Sequence, residues 1–72
     1  MATEVTAHIT GNVWKIEKKV GDDVEEGDTI VILESMKMEI PVEAPCDGKV
    51  ASITTNEGDA VDEGAVLATI DE

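Results

Sequence analysis

Arginine, phenylalanine and tyrosine are missing from this 72-residue sequence, and cysteine, histidine and tryptophan occur once each. A single cysteine, Cys46, excludes an internal disulfide. Its only candidate base is His8, and it lies in the turn-like stretch Pro45-Cys46-Asp47-Gly48 with no electropositive setting, so it reads as structural rather than nucleophilic. One His, one Cys and scattered carboxylates make neither a catalytic triad nor a metal-ligand spacing, so neither a self-contained enzyme nor a metal site is expected. Apolar runs long enough for a signal peptide or a membrane span are also missing, and the cytoplasm is the expected compartment. Positive charge is scarce: five lysines face seventeen acidic residues, for a formal net charge of −12. Such a surface repels nucleic acid and anionic membranes, which are excluded as partners. It keeps a small protein soluble, as an expected monomer, and could steer it toward basic enzymes.

What the sequence does have is a supply of Val, Ile, Ala and Leu, a composition that favours strands. No segment carries a helical period. Sliding the chain against itself by 37 positions aligns Val5 with Val42, Ala7 with Ala44, Gly11 with Gly48, Val13 with Val50 and Ile16 with Ile53. The match continues through Gly21-Asp22, Val24 and Glu26-Gly27, which fall on Gly58-Asp59, Val61 and Glu63-Gly64, making ten identities over the thirty positions from 5 to 34. Because glycine marks turns, paired glycines imply two halves that turn at the same places. Each half reads as a strand, a turn at Gly11 or Gly48, a second strand, a tight Gly-Asp-x-Val-x-Glu-Gly turn, and a third strand at Ile30 to Leu33 or Val66 to Ile70. The spacings Val13 to Ile16 and Val50 to Ile53 break strict alternation at matching points, which predicts a bulge or a sharp twist in each half. Two such units facing one another make one all-β domain over 1–72, a small flattened sandwich or barrel with repeats at about 5–34 and 42–71.

Between the repeats lies Ser35-Met36-Lys37-Met38-Glu39-Ile40-Pro41, where the symmetry requires a reversal. A plain strand from Ile30 to Val42 is the alternative, but thirteen residues would be long for so small a domain. Ser-Met-Lys-Met offers none of the Gly, Asn, Asp or Pro that tight hairpins recruit. Where local preference conflicts with the required turn, function is the expected reason. Lys37 is a primary amine with no visible base or pocket, a poor catalyst but a sound acceptor if another enzyme supplies an activated acyl group. Met36 and Met38 are flexible apolar side chains that a partner could grip. Lys15, Lys18, Lys19 and Lys49 read as solvated surface charge.

Over nearly its whole length the sequence resembles the biotinyl/lipoyl attachment domain family. Glu34-Ser35-Met36-Lys37-Met38-Glu39 is similar to the biotin acceptor motif of biotin-dependent carboxylases, and Ala44-Pro45-x-x-Gly48 and Gly21-Asp22-x-Val24-x-x-Gly27-Asp28 carry the likeness further. The resemblance implies a flattened barrel, or barrel-sandwich hybrid, of two four-stranded antiparallel sheets related by a quasi-twofold axis. It implies that biotin protein ligase attaches biotin to Lys37, and that the biotin arm carries a carboxyl group between a biotin carboxylase and a carboxyltransferase. Met36 and Met38, with Glu34, Ser35 and Glu39, are then expected to serve ligase recognition and presentation of the arm. Ser35 stands where such carriers often have Ala. The protruding loop of some bacterial carriers is missing, and with no Pro/Ala-rich linker before it the domain is expected to reach its partners as a free small protein or through a docking contact. Two other readings stay open: a lipoyl carrier, modified at Lys37 by lipoate ligase for a 2-oxo acid dehydrogenase-type system, and an unmodified barrel-sandwich module that only binds proteins. Lipoyl domains usually show Asp-Lys-Ala, so the two methionines favour biotin.

Overall fold

A computed structural model describes residues 2–72 and contains eight strands. They are β1 (Ala2–Thr6), β2 (Gly11–Ile16), β3 (Asp23–Val24), β4 (Thr29–Ser35), β5 (Met38–Glu43), β6 (Gly48–Ile53), β7 (Ala60–Val61) and β8 (Val66–Asp71). One antiparallel sheet has the order β1-β8-β6-β3 and the other β5-β4-β2-β7. Adding 37 to each position of the first half, and subtracting it from the second, turns one order into the other. The quasi-twofold architecture expected from the repeat is therefore the architecture observed.

The symmetry extends to individual hydrogen bonds. Gly21 N donates to Val50 O at 2.8 Å and Gly58 N to Val13 O at 2.8 Å. The Asp22 carboxylate accepts from Lys19 N at 2.9 Å, and Asp59 accepts from Asn56 N at 2.9 Å, each closing the turn that its Gly-Asp pair ends. These side chains satisfy amides that the short turns leave without a ladder partner, which is why aspartate recurs there. The predicted bulges are present: register shifts between Val13 and Lys15 in β2 and between Val50 and Ser52 in β6.

Two expectations need correction. Gly11 and Gly48 do not form turns; they begin β2 and β6, after bends at 8–10 and 45–47. They are glycine because another strand crosses too closely for a side chain: a Cβ on Gly11 would lie 2.7 Å from Glu34 O, and one on Gly48 2.6 Å from Asp71 O. The Gly-Asp-x-Val-x-Glu-Gly segments are not turns throughout, since each contains a two-residue strand, β3 or β7, too short to show a period.

The core is a single cluster of small aliphatic side chains drawn from both halves. Val5 and Val42, Ala7 and Ala44, Val13 and Val50, Ile30 and Leu67, Val31 and Ala68, and Leu33 and Ile70 are buried as repeat-related pairs. Ile9 and Cys46 occupy equivalent positions and both pack against this cluster while partly buried. Cys46 thus fills a hydrophobic position, in keeping with a structural thiol.

Candidate functional site

The hairpin joining β4 to β5 has no counterpart elsewhere among the described residues. Its ladder runs from Thr29 opposite Glu43, through Val31–Val42, Ile32–Pro41, Leu33–Ile40 and Glu34–Glu39, to Ser35 opposite Met38. Met36 and Lys37 alone make the turn, which rules out an uninterrupted strand. Their φ values are 52° and 65°, and they are the only non-glycine residues with positive φ among those described. A two-residue hairpin that matches strand twist wants positive φ at both central positions, normally met by Asn-Gly. A side chain there costs about 1–2 kcal/mol per residue. The conflict seen in the sequence is therefore physical: the turn is formed against the preference of the residues that form it.

The ladder beneath the tip holds the strained turn in place. Gly11, at the start of β2, lets that strand run close under Glu34 and Ser35. Asn12 pairs with Glu34. Leu33 is fully buried and Ile40 half-buried, so the hairpin is anchored in the core two residues before its tip. Beyond that layer the side chains enter solvent. Met36 is 92% exposed and Met38 62%. Met38 shares its parity with inward-facing Ile40 and Val42, so its thioether overhangs the end of the sandwich where the core has run out.

Lys37 is exposed, and among the described residues its amine has no hydrogen-bond or ion-pair partner. Lys15 and Lys49, by contrast, lie 3.5 Å from Glu17 and 4.0 Å from Asp23. A groove of about 390 Å³ lined by Thr54, Asp59, Val61, Asp62 and Val66, among others, does not include the lysine. Glu34 and Glu39 face each other across the hairpin, both exposed, on its outer face. Ser35, half-buried, pairs with Met38. All six residues singled out in the sequence thus fall within one hairpin end. Gly11 is a supporting residue that the sequence does not mark as one; its signal, a glycine repeated at a strand start, is indistinguishable in sequence from that of a turn.

The Lys37 amine is thus solvent-exposed and, among the described residues, unpartnered, which leaves it open to the active site of another protein.

Comparison with known proteins agrees with this geometry. Residues 1–70 match the Biotin_lipoyl family model, described as "Biotin-requiring enzyme". The "Biotin/lipoyl attachment protein" of Bacillus subtilis (strain 168) is 49% identical over 63 residues, covering 88% of this chain and 86% of that protein. The "Biotinylated protein TB7.3 homolog" of Mycobacterium leprae (strain TN) is 41% identical over 70 residues, covering 97% of this chain and 99% of its own. Among solved structures, the Kluyveromyces lactis urea carboxylase superposes with a TM-score of 0.94 at 41% identity, over 99% of this chain and 6% of the carboxylase.

Proposed function

The chain belongs to the biotin/lipoyl attachment family, and from that premise we propose that it is a biotin carrier whose acceptor is Lys37. It is a carrier rather than a catalytic protein, of a family that bears covalent biotin or lipoate. The observation that supports Lys37 as the acceptor is its position at a two-residue turn that disfavours any side chain, with a solvent-exposed amine and no partner.

The residues fit an amide-linked group. Lys37 offers its Nζ to the biotin carboxyl carbon that a biotin protein ligase has joined to AMP from ATP: the C–N amide bond replaces the C–O bond to AMP, which leaves, and the amine proton passes to a base of that enzyme. Met36 and Met38 give the ligase apolar grips on either side. Glu34, Ser35 and Glu39 shape the approach, and the anchored ladder below keeps the amine in a fixed place. Bound biotin supplies a nitrogen able to carry a carboxyl group, with biotin carboxylase and carboxyltransferase as the partners between which this chain moves it. Biotin is favoured over lipoate by Met on both sides of the lysine; lipoate added by lipoate ligase at the same residue is the second reading. A cytoplasmic setting, where ATP and the ligase meet the carrier, completes the proposal.

The test is an intact mass after incubation with ATP, biotin and biotin protein ligase, beside a lipoate and lipoate ligase reaction, each repeated with Lys37→Ala. The proposal expects a biotin mass shift that disappears in the variant. Addition of lipoate alone would move the function to acyl transfer. No addition from either ligase would leave a protein-binding module.

A further inference from the structure

The two sheets share a backbone but not an outer surface. On the hairpin sheet, Ile32 of β4 lies opposite Pro41 of β5 on one side and Lys15 of β2 on the other, with Trp14 as the extra residue of the β2 bulge. At such a bulge two residues oppose one, so Trp14 and Lys15 with Ile32 and Pro41 form one cross-strand row on the outer face, apolar except for Lys15, whose ammonium is paired with Glu17 at 3.5 Å. Trp14 is 47% exposed, Pro41 is exposed and Ile32 half-buried. The equivalent row of the other sheet is Ala51, Thr69 and Glu4, with the same register and the same bulge. There Ser52 and Thr69 share a hydroxyl hydrogen bond of 2.6 Å. The fold thus accepts a small and polar row at this place. The apolar row meets no requirement of the fold, and an exposed tryptophan is the residue most often found to anchor a protein partner.

We propose that the Trp14–Ile32–Pro41 row is a docking surface for the enzyme that acylates Lys37, a proposal that rests on the carrier reading of that lysine. Pro41 is four residues from Lys37, three of the steps along β5, which puts it within about 14 Å at strand rise. A standard interface covers about 800 Å² on each partner, a disc of about 16 Å radius. An enzyme that takes the amine into its active site therefore reaches this row with the same surface. Acids frame the row, Glu34 and Glu39 toward the tip and Glu43 toward the base, on a chain of net charge −12. The matching surface is an apolar recess bordered by lysines or arginines. A second copy of this chain would set one acidic border against another and is the wrong occupant.

The fold supplies the test, because Trp14→Ala, Ile32→Thr and Pro41→Glu together give the hairpin sheet the outer row its counterpart already carries, with Lys15 kept where the counterpart has Ser52. Steady-state biotinylation of Lys37 by biotin protein ligase, followed by intact mass, is compared for the wild-type chain, this triple variant and a control, Glu4→Gln, on the other sheet. Urea denaturation establishes that each is folded, and Pro41→Glu alone serves if the triple variant is not. The expected result is a KM raised about tenfold or more with kcat held within about twofold, the control unchanged, and a wild-type KM that itself rises with added salt. A folded variant with the wild-type KM overturns the docking surface while leaving Lys37 as acceptor. A wild-type chain that is never modified overturns the carrier reading itself.

Discussion

The hairpin and the place where β1 meets β8 are counterparts under the repeat, and they could hardly be used more differently. The base of the hairpin at Glu43 leads within five residues to Gly48, whose backbone lies against Asp71, so the hairpin tip and the β1–β8 end occupy opposite poles. At the β1–β8 pole, Thr3 donates its hydroxyl to the Glu72 carboxylate, and Asp71 sits between Ala2 and Lys49 in the ladder. At the hairpin pole, Glu34 faces Glu39, two thioethers project into water, and both turn residues have positive φ. One pole follows the rules of local stability and the other breaks several of them. Since the backbone beneath is shared, the difference isolates what the tip adds beyond folding.

The largest expected effect separates the lysines. Lys37→Ala should abolish ligase-dependent mass addition entirely, while Lys49→Ala at the far pole leaves it intact; residual addition to Lys37→Ala would break the assignment. Next come the crossings both poles share. Gly11→Ala and Gly48→Ala each force a Cβ into a carbonyl below 3 Å, and urea denaturation should show a loss of about 2–3 kcal/mol for both. Unequal losses would mean that the poles differ in rigidity as well as chemistry. A smaller effect has the opposite sign. Lys37→Gly relieves one positive-φ residue and should stabilise the protein by about 1 kcal/mol, raising Tm by roughly 4–8 °C while leaving nothing to modify. Smallest is the charge term. Glu39→Lys should stabilise by about 0.5 kcal/mol by replacing a like-charge pair. Ala2→Glu, which installs the missing acid at the other pole, should destabilise by about the same, and both effects should shrink in high salt.

Much of this could be read in advance because the sequence states it twice. Val13 and Ile16 against Val50 and Ile53 located both bulges, and the buried pairs from Val5 and Val42 onward are the aligned apolar positions. Lys37 stood out for lack of turn residues around it, and its positive φ is the structural form of that anomaly. Other features stayed hidden for physical reasons. β3 and β7 span two residues each, a single strand period with no repeat to detect. Gly11 and Gly48 are glycines for want of space between strands, a constraint between residues far apart in sequence that composition alone does not separate from a turn. The Trp14 row depends on cross-strand register, which only the paired strands reveal.

The polar opposition of hairpin and β1–β8 end also bears on how such a unit can be built into longer polypeptides. Ala2 pairs with Asp71 where β1 and β8 meet, with Glu72 following and bonded to Thr3, so a chain continued from either strand there would leave from the pole opposite the hairpin. A tether attached there restricts where the unit can travel without crowding the amine it displays. One architecture can therefore be small and separate, like the Bacillus subtilis relative, or form 6% of a urea carboxylase, with no redesign of the acceptor end.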